Sequence, residues 1–197
     1  MNIRKSLLAL LLLSGLFAAP VFADVNVFTC EPEWAALADE LGGDKVESYS
    51  ATTPFQDPHF IQARPSLIAR VRAADLMVCS GAGLEIGWLP VLLRSARNED
   101  VMPGNRGFLE ATQYVQRLGV PGSVDRSAGD IHPYGNPHIQ TDPRNIARVA
   151  RELANRLKAV DPDNAAYYEK RFQDFDLRWR ENVGRWTREA EALRGMQ

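Results

Sequence analysis

The chain has 197 residues, 45% of them hydrophobic and 24% charged, with a formal net charge of −2. That is enough sequence for one hydrophobic core, and the slight acidic balance argues against nucleic acid or an anionic membrane surface as partner. Only three histidines and two cysteines are present, so where they fall carries most of the functional information.

Residues 1–23 have the layout of a secretory signal peptide. Arg4 and Lys5 form a charged start, Leu7 to Ala19 an apolar run, and Val21-Phe22-Ala23 a cleavage site before Asp24. The apolar run is shorter than the roughly 20 residues that span a bilayer. Cys30 follows Phe28-Thr29, which is not the small-residue context of a lipid-anchored cysteine. The expectation is an exported, periplasmic, soluble protein without a lipid anchor. Losing Arg4 and Lys5 with the leader takes the net charge from −2 to −4 and leaves 174 residues.

Val25 to Thr29 is a short β-rich run. Pro32 suits the first turn of a helix, with Trp34, Leu37, Ala38 and Leu41 at helical spacing and Gly42-Gly43 as its stop. Val46 to Ser50 predicts a second strand, and Pro65 opens a helix with Leu67, Ile68 and Val71 on one face. Leu76 to Cys79 is a continuous apolar run, as in a strand covered on both sides, and Trp88 to Ala96 predicts a third helix. This alternation predicts an α/β fold, a single doubly wound lobe with a mainly parallel sheet whose ligands sit beyond the carboxyl ends of the strands. Residues 98–127, rich in Gly and Pro, predict only short strands or turns. Thr141-Asp142-Pro143 and Asp161-Pro162 both read as helix starts, a capping residue followed by proline. The second helix, Pro162 to Leu193, places Tyr168, Phe172, Phe175, Trp179, Val183, Trp186, Ala190 and Leu193 in one stripe. At ~1.5 Å per residue it would run on the order of 48 Å, longer than one small lobe. Its far half then requires a cover, whether a second domain, a helical hairpin on its own lobe or a coiled-coil partner.

Asp57-Pro58-His59 and Asn136-Pro137-His138 are two Pro-His pairs in short polar loops, and His132 precedes His138 by six residues. An imidazole on a proline-fixed loop loses little freedom on binding a metal. A single loop histidine is ordinarily a solvated side chain, but two in the same setting favour ligands.

The order of these segments, with Ala74-Asp75-Leu76, Gly81-Ala82-Gly83-Leu84-Glu85, Asp142-Pro143 and Asp161-Pro162-Asp163-Asn164-Ala165-Ala166-Tyr167-Tyr168, resembles the periplasmic zinc/manganese-binding proteins of ABC importers along the whole exported part. The resemblance implies two α/β lobes joined by one long helix, and a metal held in the cleft by one histidine from each of two N-lobe loops and two ligands from the C-lobe. His59 matches the first of these histidines and His138 the second. It implies a signal peptide over 1–23, an N-terminal metal-binding lobe over 24–160 and the linking helix over 161–197, the C-lobe being absent. It further implies capture of Zn2+, with Mn2+ as the alternative, by a monomer that serves a cognate ABC permease in the inner membrane and has no nucleic-acid partner. Two ligands do not close a tetrahedral zinc site. His132 is the candidate third, the other reading being a loop residue at the cleft rim. Asp57, Asp130 and Asp142 are weaker candidates, and Asp142 is better explained as a helix cap.

Cys30 and Cys79 fall at the carboxyl ends of the first and third predicted strands, which are neighbours about 4.8 Å apart in a lobe of strand order 2-1-3. They form either a disulfide or two buried thiols. Gly81-x-Gly83-x-x-x-Gly87 after a strand suggests a dinucleotide loop only loosely, since its third glycine is one place late. A zinc hydrolase built on His59 and His138, and a fragment without function, are the remaining alternatives.

Overall fold

A computed structural model describes residues 25–123 and 132–195, so the expected signal peptide and Asp130 lie outside the described residues. The elements in order are β1 (Val25–Thr29), α1 (Pro32–Gly42), β2 (Val46–Ser50), α2 (Pro65–Arg72), β3 (Leu76–Cys79), α3 (Leu89–Ala96), β4 (Phe108–Glu110), α4 (Pro143–Val160) and α5 (Ala165–Glu191). The four strands form one sheet in the order β2-β1-β3-β4, every pair parallel.

Alternate residues of the strands feed two apolar layers, as the two-residue period of a strand requires. Val27, Leu76, Val78 and Leu109 pack with α1, α4 and the start of α5. Phe28, Met77, Cys79 and Phe108 pack with α2 and α3 on the opposite face. The sheet is therefore covered on both sides, the doubly wound α/β arrangement that the continuous apolar run Leu76–Cys79 predicts. Cys30 and Cys79 are joined in a disulfide, with their Cα atoms 4.8 Å apart. None of the described helices is long and apolar enough to cross a membrane.

Asp142 caps α4 by accepting from the Arg144 backbone N–H at 2.9 Å, with Pro143 in the first turn. The matching signal at Asp161-Pro162 behaves differently. Residues Pro162–Asn164 form a single 3₁₀ turn and α5 begins at Ala165. The Asp161 carboxylate is taken instead by the Tyr168 hydroxyl at 2.6 Å and by Asn164 Nδ2 at 2.8 Å. A buried phenol needs a partner more than the helix end does, because that end can borrow solvent.

With 27 residues, α5 spans roughly 40 Å. Tyr168, Phe172 and Phe175 are buried against the lobe. Trp179 stacks on Phe175 at 5.3 Å, and its indole N–H donates to the Pro143 carbonyl at 2.7 Å. Beyond that point the stripe leaves the lobe, and Trp186 and Leu193 are exposed. The hairpin of α4 and α5 thus covers half of the stripe and no more.

Candidate metal centre

All strands being parallel, the loops after β1, β2 and β3 emerge at one edge of the sheet, together with the loop that precedes α4. His59 comes from the β2–α2 loop. The Asp57 carboxylate accepts from the His59 backbone N–H at 3.0 Å and meets the ring Nδ1 at 2.6 Å. These two bonds, the backbone one first, hold the Asp57 carboxyl below the usual aspartate range. They also settle the direction of the ring: with Nδ1 engaged by a carboxylate, the Nε2 lone pair faces outward. That is the carboxylate–histidine arrangement typical of metal-bound imidazoles. Asp57, a weaker ligand candidate in the sequence, has its oxygen spent on orienting His59.

His138 is set by a local turn in which its N–H donates to Asn136 Oδ1 at 2.8 Å, while its carbonyl accepts from the Thr141 hydroxyl at 2.8 Å. The chain then enters α4 through the Asp142 cap. Asp142 is engaged by Arg144, backbone and guanidinium, and the guanidinium holds its carboxyl below the usual range. The helix-cap reading of Asp142 is the one its contacts support.

The structure brings His132 to the same place. The ring centroids of His59 and His132 are 5.2 Å apart, those of His132 and His138 6.0 Å, and those of His59 and His138 6.4 Å. His59 Nε2 and His132 Nε2 lie 3.4 Å apart. Two imidazole nitrogens on one tetrahedral zinc, each at about 2.05 Å, stand about 3.3 Å apart. The spacing of His59 and His132 therefore fits two nitrogens on a zinc-sized cation, and the His138 ring lies beside both.

Two features near the site escaped the sequence reading. Glu33, in the first turn of α1, lies within electrostatic reach of His138; burial raises its carboxyl above the ordinary value, against the pull of its own backbone and of His138. Glu31 and Glu85 form a buried pair, each only 3% exposed. Glu31 Oε2 accepts from the Ser80 backbone N–H and hydroxyl at 3.2 and 2.9 Å, and Glu85 accepts from the Gly81 N–H at 3.1 Å. Burial, then the neighbouring charge of Glu85, pushes Glu31 well up, and burial raises Glu85. Glu85 entered the sequence reading only as the end of the Gly81-Ala82-Gly83-Leu84-Glu85 segment, and nothing in the sequence marked either acid as buried. The same contacts dispose of the dinucleotide reading. The backbone amides that would cradle a phosphate are spent on carboxylates, Gly81 N–H on Glu85 and Ala82 N–H on Glu110.

A raised carboxyl pKa in the folded state holds a proton that the unfolded chain releases. Its stabilisation is complete below the ordinary glutamate value of about 4.5 and is lost as pH rises through the raised values. Glu85→Gln, which keeps the shape of the protonated acid, is expected to flatten this loss. Urea midpoints at about pH 5 and about pH 8 should fall further in the parent chain than in the variant; equal falls would contradict it.

The sequence model of the family described as zinc-uptake complex component A, periplasmic (ZnuA), matches residues 27–195. The chain belongs to this family. Its curated relatives include the manganese ABC transporter substrate-binding lipoprotein PsaA of Streptococcus anginosus, 26% identical over 144 residues that cover 72% of this chain and 43% of that protein. The corresponding lipoprotein scaA of Streptococcus gordonii is 27% identical over 154 residues, 77% of this chain and 46% of that protein. The chain thus spans less than half the length of these relatives. Among solved structures, a ZnuA deletion mutant with zinc bound superposes with a TM-score of 0.67 at 24% identity, covering 81% of this chain and 55% of that one. A periplasmic metal-binding protein from candidatus liberibacter asiaticus superposes at 0.65 and 20% identity, covering 82% and 54%. At these identities the superpositions establish the fold.

Proposed function

We propose that this ZnuA-family chain captures a divalent transition metal, zinc before manganese, through His59, His132 and His138, for delivery to an ABC-type permease of the inner membrane. The observation that carries this reading is the convergence of three imidazoles, with His59 and His132 at the spacing of two nitrogens on one zinc ion. An all-imidazole set suits zinc better than manganese, which prefers carboxylate, carbonyl and water oxygens. The streptococcal relatives are named for manganese, so the preference proposed for this chain rests on its own donors. A role in capture rather than catalysis agrees with relatives named as substrate-binding proteins.

The domain reading that goes with this is a leader over 1–23, a metal-binding lobe over 24–160 and a linking helix over 161–197 whose exposed far half would meet a second lobe. We further propose a periplasmic, monomeric protein held by no lipid. The streptococcal relatives are named lipoproteins, but both cysteines of this sequence are joined to each other and neither is free to carry a thioether lipid.

Competitive zinc titration tests the proposal. One ion per chain is expected, with binding lost in the His59→Ala/His138→Ala double variant; stoichiometric binding that survives the double variant would refute the ligand set. Manganese under the same conditions is expected to bind more weakly. Asp57→Ala, which removes only the partner of His59 Nδ1, is expected to weaken zinc by roughly 10- to 100-fold. An unchanged affinity there would mean that the Asp57 contact does not orient a ligand.

A further inference from the structure

We propose that the Cys30–Cys79 disulfide masks a second metal site, separate from the three histidines, which reduction uncovers as a Cys30–Cys79–Glu85 set for a thiophilic divalent cation. The sulfur atoms of both cysteines and a carboxylate oxygen of Glu85 all lie within 4.8 Å of one another. A tetrahedral zinc with sulfurs at about 2.3 Å and oxygen at about 2.1 Å needs its donors about 3.6–3.8 Å apart. Once the S–S bond is cut, the sulfurs have only to separate and the carboxylate to move in by about 1 Å. Cys30 and Cys79 sit at the ends of adjacent strands, pinned by the Cys30 N–H donating to the Val78 carbonyl at 2.9 Å, so both thiols stay at the same sheet edge after reduction.

A second observation points to a cation at this place. Glu31, next to Cys30 in the chain, is buried, and its Oε1 has no hydrogen-bond donor. Burying such an atom costs on the order of 1–3 kcal/mol if nothing satisfies it. A metal ion bound by Glu85 and both thiolates would place positive charge near this buried carboxylate, which follows Cys30 in the chain. Two thiolates among the donors select zinc or cadmium over calcium or magnesium. Cys79 and Glu85, though buried, both line a cavity of about 500 Å³ with apolar walls that include Ile86, Leu93 and Phe108.

The step balances with a dithiol reductant. Its thiolate attacks one sulfur, it departs as a cyclic disulfide, and Cys30 and Cys79 gain two electrons and two protons. The cation then displaces both thiol protons to solvent.

The test uses the full chain carrying His59→Ala, His132→Ala and His138→Ala, so that failure of the three-histidine site cannot be mistaken for failure of this one. The protein is treated with dithiothreitol, desalted without oxygen and titrated with cadmium while the ultraviolet thiolate-to-cadmium charge-transfer band is followed. Two titratable thiols and one cadmium per reduced chain are expected, with no band before reduction. Glu85→Gln, an isosteric match for the protonated acid, is expected to keep the thiol count and the helical circular dichroism while losing at least tenfold in affinity. No thiols after treatment, thiols without a band, a band indifferent to Glu85→Gln, or unfolding on reduction that cadmium does not reverse would each overturn the proposal.

Discussion

His132→Ala is expected to lower zinc affinity by at least about 100-fold while leaving the urea midpoint of the metal-free protein where it was. The reasoning starts from the ligand count. His59 and His138 alone leave a tetrahedral ion with two positions on solvent; His132 Nε2, 3.4 Å from His59 Nε2, fills a third with a neutral nitrogen already close to the required spacing. Removing an outer-shell partner of a metal ligand typically costs 10- to 100-fold, and removing a ligand itself exceeds that. The side chain is only partly buried, so little of the effect can pass through folding. Titration of the single variant beside the parent decides it: an affinity within a few fold of the parent would make His132 a rim residue and leave a two-histidine half-site.

Reducing the Cys30–Cys79 bond is expected to cost about 4 kcal/mol of folding stability, the chain-entropy value for a cross-link closing a loop of 49 residues. Against the roughly 5–15 kcal/mol of an ordinary domain, that leaves the reduced protein folded with a much smaller margin. Comparing urea unfolding of oxidised and reduced forms of the same sequence avoids the volume changes of a cysteine substitution. A difference below about 1 kcal/mol would mean that the unfolded chain gains little freedom from losing the link. Metal added to the reduced form should restore part of the margin if the second site exists, because a cation that binds only the folded state stabilises it by mass action.

The fold was legible because its signals are local. Alternation of β-rich runs with proline-initiated helices spelled out a parallel sheet, and the continuous apolar stretch Leu76–Cys79 implied cover on both faces. Two cysteines at equivalent strand ends narrowed the choice to a disulfide or two thiols. The site was legible in part. His59 and His138 stood out through paired Pro-His contexts, whereas His132 could be placed only by the folded loop, since nothing periodic constrains the stretch before it. The role of Asp57 was beyond sequence reasoning, because a carboxylate two residues from a histidine serves equally well as ligand or as orienter until the ring's direction is known. Glu31 and Glu85 were invisible for the same reason: burial of a glutamate is decided by tertiary packing, not by its neighbours in the chain. The start of α5 was misplaced by three residues because Asp161 had a stronger claim on it from Tyr168.

The outer half of α5 has a consequence for any surface that meets it. Past Trp179 the helix has almost no neighbours from the lobe, yet it is supported by pairs within itself: Asp176 with Arg180, Arg185 with Glu189, and Glu191 with Arg194 just past its end. Each such pair contributes only about 0.2–0.5 kcal/mol, but they add to a helix already nucleated and anchored at its inner end, where the cost of the first turn has been met. The apolar edge of Val183, Trp186 and Ala190 is therefore presented by backbone that is ordered beforehand. A protein surface that covers it gives up its own freedom and solvent, and need not supply the roughly 1–2 kcal/mol per residue that fixing a disordered segment would demand.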